Sequence, residues 1–484
     1  MKTLIKQLSP IPALITGLVL ILAGQATAQV FKTLHTFTGG SDGSGPVVGV
    51  ILSGNTLYGT ADQGTSFGYG TVFKVNTDGT GFKVLETFNG VNNEAYPEIS
   101  LLLSGSTLYG ASGGPGTTLG TLFADNTNGT GFTTLHTFTT VSGSHYTNSD
   151  GGGVWGRLIL SGNTLYGTAQ FGSIGGMGMV FAVNTNGTGL TTLHSFAALS
   201  VPFDPFGSFN PPYTNSDGAA STSGLILSGN TLYGATSWGG SSGWGTVFAV
   251  NTDGTGFTTL YTFTGGSDGG WPRRTPLMLS GNTLYGTTYQ GGSGRGSSGK
   301  GTVFAVNTNG TGFTVLHSFT GSSDGANPYG GLILSGNTLY GMANLGGSRG
   351  MGTVFAVNTD GTGFTNLYNF NGSRDGANPY GGLILSGNTL YGTAYGGGSS
   401  GYGTVFSLSF RPQLTILPSE TNSILTWPTN YAGFDYTGYT LQSTTNLVSP
   451  AVWTTNSSAP VVVNGQNVVT NSITGSQQFY RLIQ

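Results

Sequence analysis

Cysteine is absent from the 484 residues. That excludes disulfides, thiol nucleophiles, cysteine-held metals and a lipid-modified N-terminal cysteine. Charge is nearly as scarce: Asp, Glu, Lys and Arg make up 6 % of the chain, where ordinary globular chains carry roughly 25 %. With 14 basic residues and a net charge of −3, no basic patch is available to neutralise phosphates, so nucleic acid is not an expected partner. Long apolar runs are missing too. The one apolar stretch, residues 11–24, is too short for a comfortable membrane span. Lys2 and Lys6 precede it and Ala26-Thr27-Ala28 follows it as a small-x-small cleavage site. This predicts a signal peptide over 1–28 and a secreted, extracellular or cell-surface protein with no membrane span after processing.

What remains is glycine and aromatics. Glycine accounts for 88 residues and Phe, Trp and Tyr for 12 % of the chain. The two recur together at fixed places, which suits short strands joined by tight turns rather than a disordered chain. Thr-Leu-Tyr-Gly occurs seven times, with its tyrosine at Tyr58, Tyr109, Tyr166, Tyr233, Tyr285, Tyr340 and Tyr391. A second landmark, mostly Gly-Thr-Val-Phe, places Phe73, Phe123, Phe181, Phe248, Phe304, Phe355 and Phe406. Intervals of this length fit propeller blades and are far too long for coils of a β-helix.

The unit 330–370 reads as four strands: one at 332–334, a second at 338–343, a third at 353–358 and a fourth at 364–370, with turns at Ser335-Gly336-Asn337 and Asp360-Gly361. Large residues stand side by side, as in Leu339-Tyr340 and Val354-Phe355. A sheet with one wet face would alternate instead, so both faces are expected to be covered. Residues 31–37 copy a fourth strand with no first three before it, and the last unit leaves the pattern after Phe406 without a fourth. The expected fold is therefore all-β: a seven-bladed β-propeller over 29–410, closed by its N-terminal strand. Residues 411–484 lose the repeat and show short strand-like runs, predicting a small C-terminal β-sandwich with Trp427 in its core. Nothing calls for an oligomer, and a monomer is expected.

The Leu-Tyr-Gly, Gly-Thr-Val-Phe and Asn-Thr-Asp-Gly-Thr-Gly-Phe blocks resemble the bacterial GloVer tandem repeat, over about residues 31–410. The resemblance implies export and an extracellular location, and brings no catalytic residues with it. The C-terminal segment is similar to fibronectin type III modules.

Alternating strand directions put hairpins one–two and three–four of each unit on one face. Loops two–three and four–one share the other, which varies between copies and holds the insertions at 139–156, 197–224 and 291–300. Binding residues are expected on that variable face. It carries one acid per unit: Asp42, Glu94, Asp150, Asp217, Asp268, Asp324 and Asp375. Asp-Gly is ordinary turn chemistry. Oxygen ligands arranged in a ring also admit calcium, the one cofactor considered, although no dense acidic loop is present. The face carries aromatic rings as well. Trp155, Trp238, Trp244, Trp271 and Tyr289 are the ligand candidates, since flat rings among few charges suit stacking on sugars. Tyr329 and Tyr380, both in Ala-Asn-Pro-Tyr-Gly, read as structural.

Any acid, base or nucleophile should fall among the non-repeating polar residues: Asp62, His145, Arg157, Asp204, Arg273 and Arg274. Their spacing singles out no catalytic pair. His35, His136, His194 and His317 share one fourth-strand position, filled elsewhere by Glu86, Tyr261 and Tyr368, which is packing variation. Gly-x-Ser-x-Gly matches follow from glycine abundance, and the dinucleotide-like pattern at 294–299 precedes a strand where a helix is required. The expected function is a non-catalytic extracellular binding or surface scaffold, with polysaccharide or surface proteins as partners. The alternatives are a propeller enzyme acting on polysaccharide, by hydrolysis or elimination, and a purely structural adhesion protein.

Overall fold

The computed structural model describes residues 28–484 apart from 91–94, 114–118, 141–146, 201–212, 275, 295, 420–421, 446–450, 457 and 473–477. Residues 1–27 of the predicted signal peptide, Glu94, His145 and Asp204 lie outside the described residues. Phe31–Leu408 forms one compact unit and Ser409–Gln484 belongs to another.

The larger unit is an all-β, propeller-like array. In the repeat at 330–370, Ile333–Ser335, Thr338–Leu345, Thr353–Asn358 and Thr365–Asn369 pair antiparallel in sequence order. Ala326–Pro328 adds a short fifth strand beside Thr338–Leu345. Six further repeat sheets of four strands share this plan among the described residues. One is discontinuous in sequence: Ala28–Thr36 occupies its outer edge, next to Thr404–Arg411.

Register explains the motif glycine. Gly341 stands opposite Phe355, and a Cβ on Gly341 would come within 2.5 Å of the phenyl Cζ. Without that atom the ring lies flat over the neighbouring strand. Leu339, Tyr340, Val354 and Phe355 are all fully buried, so both faces of the sheet are covered. Neighbouring sheets supply the cover. Tyr285, Val303 and Phe319 of one sheet share a core with Leu339, Phe355 and Val357 of the next. Leu34, Phe37, Tyr391 and Val405 of the discontinuous sheet do the same with Leu57, Phe73 and Val75.

In Ser409–Gln484, one sheet orders Thr415–Ser419, Asn422–Pro428, Gln466–Ser472 and Val461–Val463. A second pairs Thr440–Thr444 with Thr454–Thr455 and Phe479–Ile483. Leu425, Trp427 and Val469 from the first meet Leu441 from the second in a common core. Among the described residues, no helix is long and apolar enough to cross a membrane.

Candidate functional site

Each repeat enters its first strand through a loop that pairs back onto the end of the second. Ser44 bridges Gln63, Ala219 bridges Trp238 and Ala377 bridges Gly396 in this way. The next residue is left-handed in every copy: Gly45, Tyr96, Gly153, Ala220, Trp271, Asn327 and Asn378 all have positive φ. Its carbonyl accepts from the residue that follows the second strand, as in Asp62 N to Gly45 O (3.1 Å), Tyr289 N to Trp271 O (3.0 Å) and Tyr395 N to Asn378 O (3.2 Å). The fold thus fixes two sets of positions on the variable face. Following the left-handed residue by two come Val47, Glu98, Trp155, Thr222, Arg273, Tyr329 and Tyr380, with Arg274 as one extra residue in its copy. At the C-terminal ends of the second strands, in or just after them, come Asp62, Gly113, Gln170, Ser237, Tyr289, Asn344 and Tyr395. These positions carry no consensus across all the repeats, and Asp62, Glu98, Arg273 and Arg274 fall among them.

Four of these positions, Val47, Trp155, Arg274 and Tyr380, line a cavity of about 440 Å³ together with Arg157 and the first strands of all the repeat sheets. Elsewhere the walls are mostly aliphatic, such as Val50, Leu102, Leu160 and Ile226. Near the mouth the backbones crowd together: a Cβ on Gly49 would stand 2.3 Å from the carbonyl oxygen of Gly382. Arg274 donates from its Nη2 to the carboxylate of Glu98 and lies over the Trp155 ring, 3.7 Å from guanidinium carbon to centroid. Arg273 stands 5.8 Å from the Tyr329 centroid. Tyrosines continue edge to face, Tyr289 on Tyr329 at 5.6 Å, Tyr329 on Tyr380 at 4.9 Å and Tyr380 on Tyr395 at 5.3 Å.

Asp62 is 5 % exposed, and its Oδ1 has no hydrogen-bond partner. Burial, then the negative charge of Glu98, push its carboxyl up to about 8, against the pull of Arg274. It is therefore mostly protonated at neutral pH. Arg157 is solvent-accessible within the cavity, and partial desolvation holds its pKa below the usual arginine value.

The five aromatic candidates divide. Trp155 lines the cavity, and Tyr289 packs edge to face on Tyr329. Trp238 and Trp271, expected as exposed stacking platforms, are each 7 % exposed in a shared core cluster, their rings 4.7 Å apart. They fill space between neighbouring sheets and present no open face to a ligand. Trp244 is half-buried, 5.6 Å from Trp271, and so close over Gly265 that a Cβ there would meet its ring at 2.4 Å. It covers a loop, as Tyr402 does over Gly39 in another copy. Tyr380, read from sequence as structural, lines the cavity.

The acids of the four–one loops form separate capping sites. Asp42 accepts through Oδ2 from His35 Nε2 (3.1 Å) and Thr38 N (3.0 Å), and through Oδ1 from Thr38 Oγ1. Asp150, Asp217 and Asp324 accept from His136, His194 and His317 at 3.1, 2.9 and 3.2 Å. Asp268 and Asp375 accept from Tyr261 and Tyr368 at 3.1 and 2.8 Å. Each also takes the backbone N–H at the end of its fourth strand. Among the described residues no three His, Asp or Glu side chains come close enough to share a metal ion.

Stacked four-stranded sheets with an irregular, charge-bearing loop face define a propeller-like all-β repeat protein. The Gloeobacter/Verrucomicrobia repeat matches residues 20–201, 205–297 and 293–445, and the chain belongs to that family. No curated protein matches it. Among solved structures, an oligogalacturonate lyase from Vibrio parahaemolyticus aligns at 10 % identity and TM-score 0.48, covering 78 % of this chain and 93 % of that one. A puromycin-hydrolysing peptidase from Mycobacterium tuberculosis aligns at 12 % and 0.47, covering 79 % and 57 %. A putative 6-phosphogluconolactonase from Bacteroides uniformis aligns at 16 % and 0.44, covering 88 % and 98 %.

Proposed function

We propose that Phe31–Leu408 is a seven-bladed β-propeller closed by its own first strand, followed by a β-sandwich of fibronectin type III type. In this reading the exported chain is a non-catalytic extracellular binding or surface scaffold protein that takes carbohydrate at the centre of its variable loop face. Closure draws support from the pairing of Ala28–Thr36 with Thr404–Arg411 and from the core that the discontinuous sheet shares with the Leu57–Phe73 sheet.

One observation carries the binding reading: aromatic and charged side chains of separate repeats, Trp155, Arg157, Arg274 and Tyr380, meet in the wall of one cavity. A concave site with apolar walls and a few oriented polar groups is the usual form of a small-ligand pocket. A polysaccharide-cleaving enzyme would draw on Asp62 as its acid, but Asp62 is buried and is not among the cavity-lining residues. Binding without catalysis is therefore the reading retained.

The test is binding of the mature chain to a broad glycan and polysaccharide panel, with calcium and with EDTA. Saturable binding, weakened about tenfold in a normally melting Tyr380→Ala variant, is the expected result. EDTA should change nothing, because the described loop acids are already engaged by protein donors. Silence across the panel would overturn the reading in favour of a structural surface protein.

A further inference from the structure

The geometry points to Arg157 as the residue that recognises a carboxylate on the terminal sugar of an acidic saccharide, held in the cavity of the variable face. This rests on the saccharide-binding reading and adds the charge of the ligand. Its basis is a contrast between two arginines that line the same cavity. Arg274 is already paired, held through Nη2 by Glu98 and through its face by the Trp155 ring, with its Nε left without a hydrogen-bond partner. Arg157 is solvent-accessible and has no hydrogen-bond or ion-pair partner among the described residues.

A guanidinium walled in by aliphatic side chains loses part of its hydration, and an unpaired charge in such surroundings gains most from an anionic ligand. Its planar fork matches a carboxylate with two parallel hydrogen bonds. The surroundings keep that position open to an anion. Asp62 is mostly protonated and Glu98 is engaged by Arg274, while Arg273 adds a further positive charge. A chain with net charge −3 and only 14 basic residues thus sets two of them, Arg157 and Arg274, in the wall of one cavity. The volume of about 440 Å³ lies toward the small end of ligand pockets, which fits the end of a chain rather than its middle.

The copies account for the position. Arg157 occupies the place held by Gly49, Ser100, Gly224, Gly331 and Gly382 in other repeats. Where those copies let backbones approach, this one sends a long cation into the space they leave.

The experiment measures, by calorimetry on the mature chain, a glucuronate oligosaccharide, the same oligosaccharide after methyl esterification, and a glucose oligosaccharide of equal length. The expected result is binding of the acid roughly ten- to a hundredfold tighter than of the ester. Arg157→Gln should remove that preference while leaving the melting temperature unchanged, and Arg157→Lys should restore part of it. Equal affinity for acid and ester, or a preference that survives Arg157→Gln, would overturn the role of Arg157 and leave saccharide binding standing. Binding of none of these three, with neutral glycans of the broad panel bound, would also overturn the acidic-ligand inference alone. Silence toward every glycan would overturn both readings.

Discussion

Two sets of aspartates show how a residue's neighbours decide whether charge is needed. In the three–four hairpins Asp78 accepts from Thr80 N and Oγ1 through a single oxygen, at 2.8 and 2.7 Å. Asn128 and Asn186 do the same work in other copies. In the four–one loops both oxygens of Asp42 accept, and an amide nitrogen would face a donor. Asp42→Asn should therefore lower the melting temperature by several degrees, while Asp78→Asn should leave it nearly unchanged. Asp62 is a different case. The folded chain keeps its proton up to about pH 8, whereas the unfolded chain releases it near pH 4. Its contribution to stability is thus full below about pH 4 and is lost as the pH rises through 8. Asp62→Asn should flatten this slope by an amount on the order of a few kcal/mol, and melting curves from pH 4 to 9 would show it. Unchanged slopes would contradict the burial argument. Part of the cavity wall was legible in sequence, because Arg157 and Arg274 break the repeat, as do Asp62 and Arg273 in the chain's charged set. Glu98 was missed: its copy departs from the consensus at several neighbouring positions, so one more departure carried no signal. Trp238 and Trp271 misled because irregularity along the sequence also arises where one pair of sheets fills its gap differently.

At the scale of the strand, one outer position ties each sheet to the next. His35 stacks on Phe82 at 3.5 Å, His194 on Phe257 at 3.5 Å, His317 on Phe364 at 3.6 Å and Tyr261 on Phe313 at 3.7 Å. The same side chains hold the loop aspartates, so each pins its own loop and its neighbour's strand together. Reading the histidines as packing captured the ring stacking and missed the hydrogen bond, since sequence spacing alone does not show which loop folds back onto the strand. Burial lowers the pKa of His35 and His317, outweighing the nearby carboxylates. The unfolded chain therefore takes up protons first, and stability should fall as the pH drops below about 6.5. Replacing both by tyrosine, as Tyr261 and Tyr368 already stand in other copies, should soften that acid-side loss; a pH series of melting temperatures checks it. The motif glycine is stricter. Gly341→Ala has no space for its methyl above Phe355 and should destabilise by about 2 kcal/mol or more, read from denaturant unfolding. Strand order and register were legible because period, turn residues and aromatic landmarks agree in every copy.

For the whole molecule, the proposed closure makes the first strand indispensable. Phe31 stacks on Tyr368 at 4.4 Å and on Phe406 at 5.2 Å, joining the two ends of the array. Deleting residues 31–38 should lower the melting temperature by ten degrees or more, and adding them back as a synthetic peptide should recover part of the loss. An unchanged melting temperature would argue for an open array. The incomplete last repeat made this arrangement legible in sequence, while the cavity was not, because its shape depends on how closely the inner backbones pass. That closeness has a genetic consequence. A gene of near-identical segments recombines with itself, and each unequal crossover adds or removes a whole copy while leaving the opening strand and the short final copy in place. Every such product inherits a partner for its last sheet. In the proposed closed ring it would not inherit the spacing at which Gly49 meets Gly382, so the limit on copy number would be set where the inner backbones pass rather than at the seam.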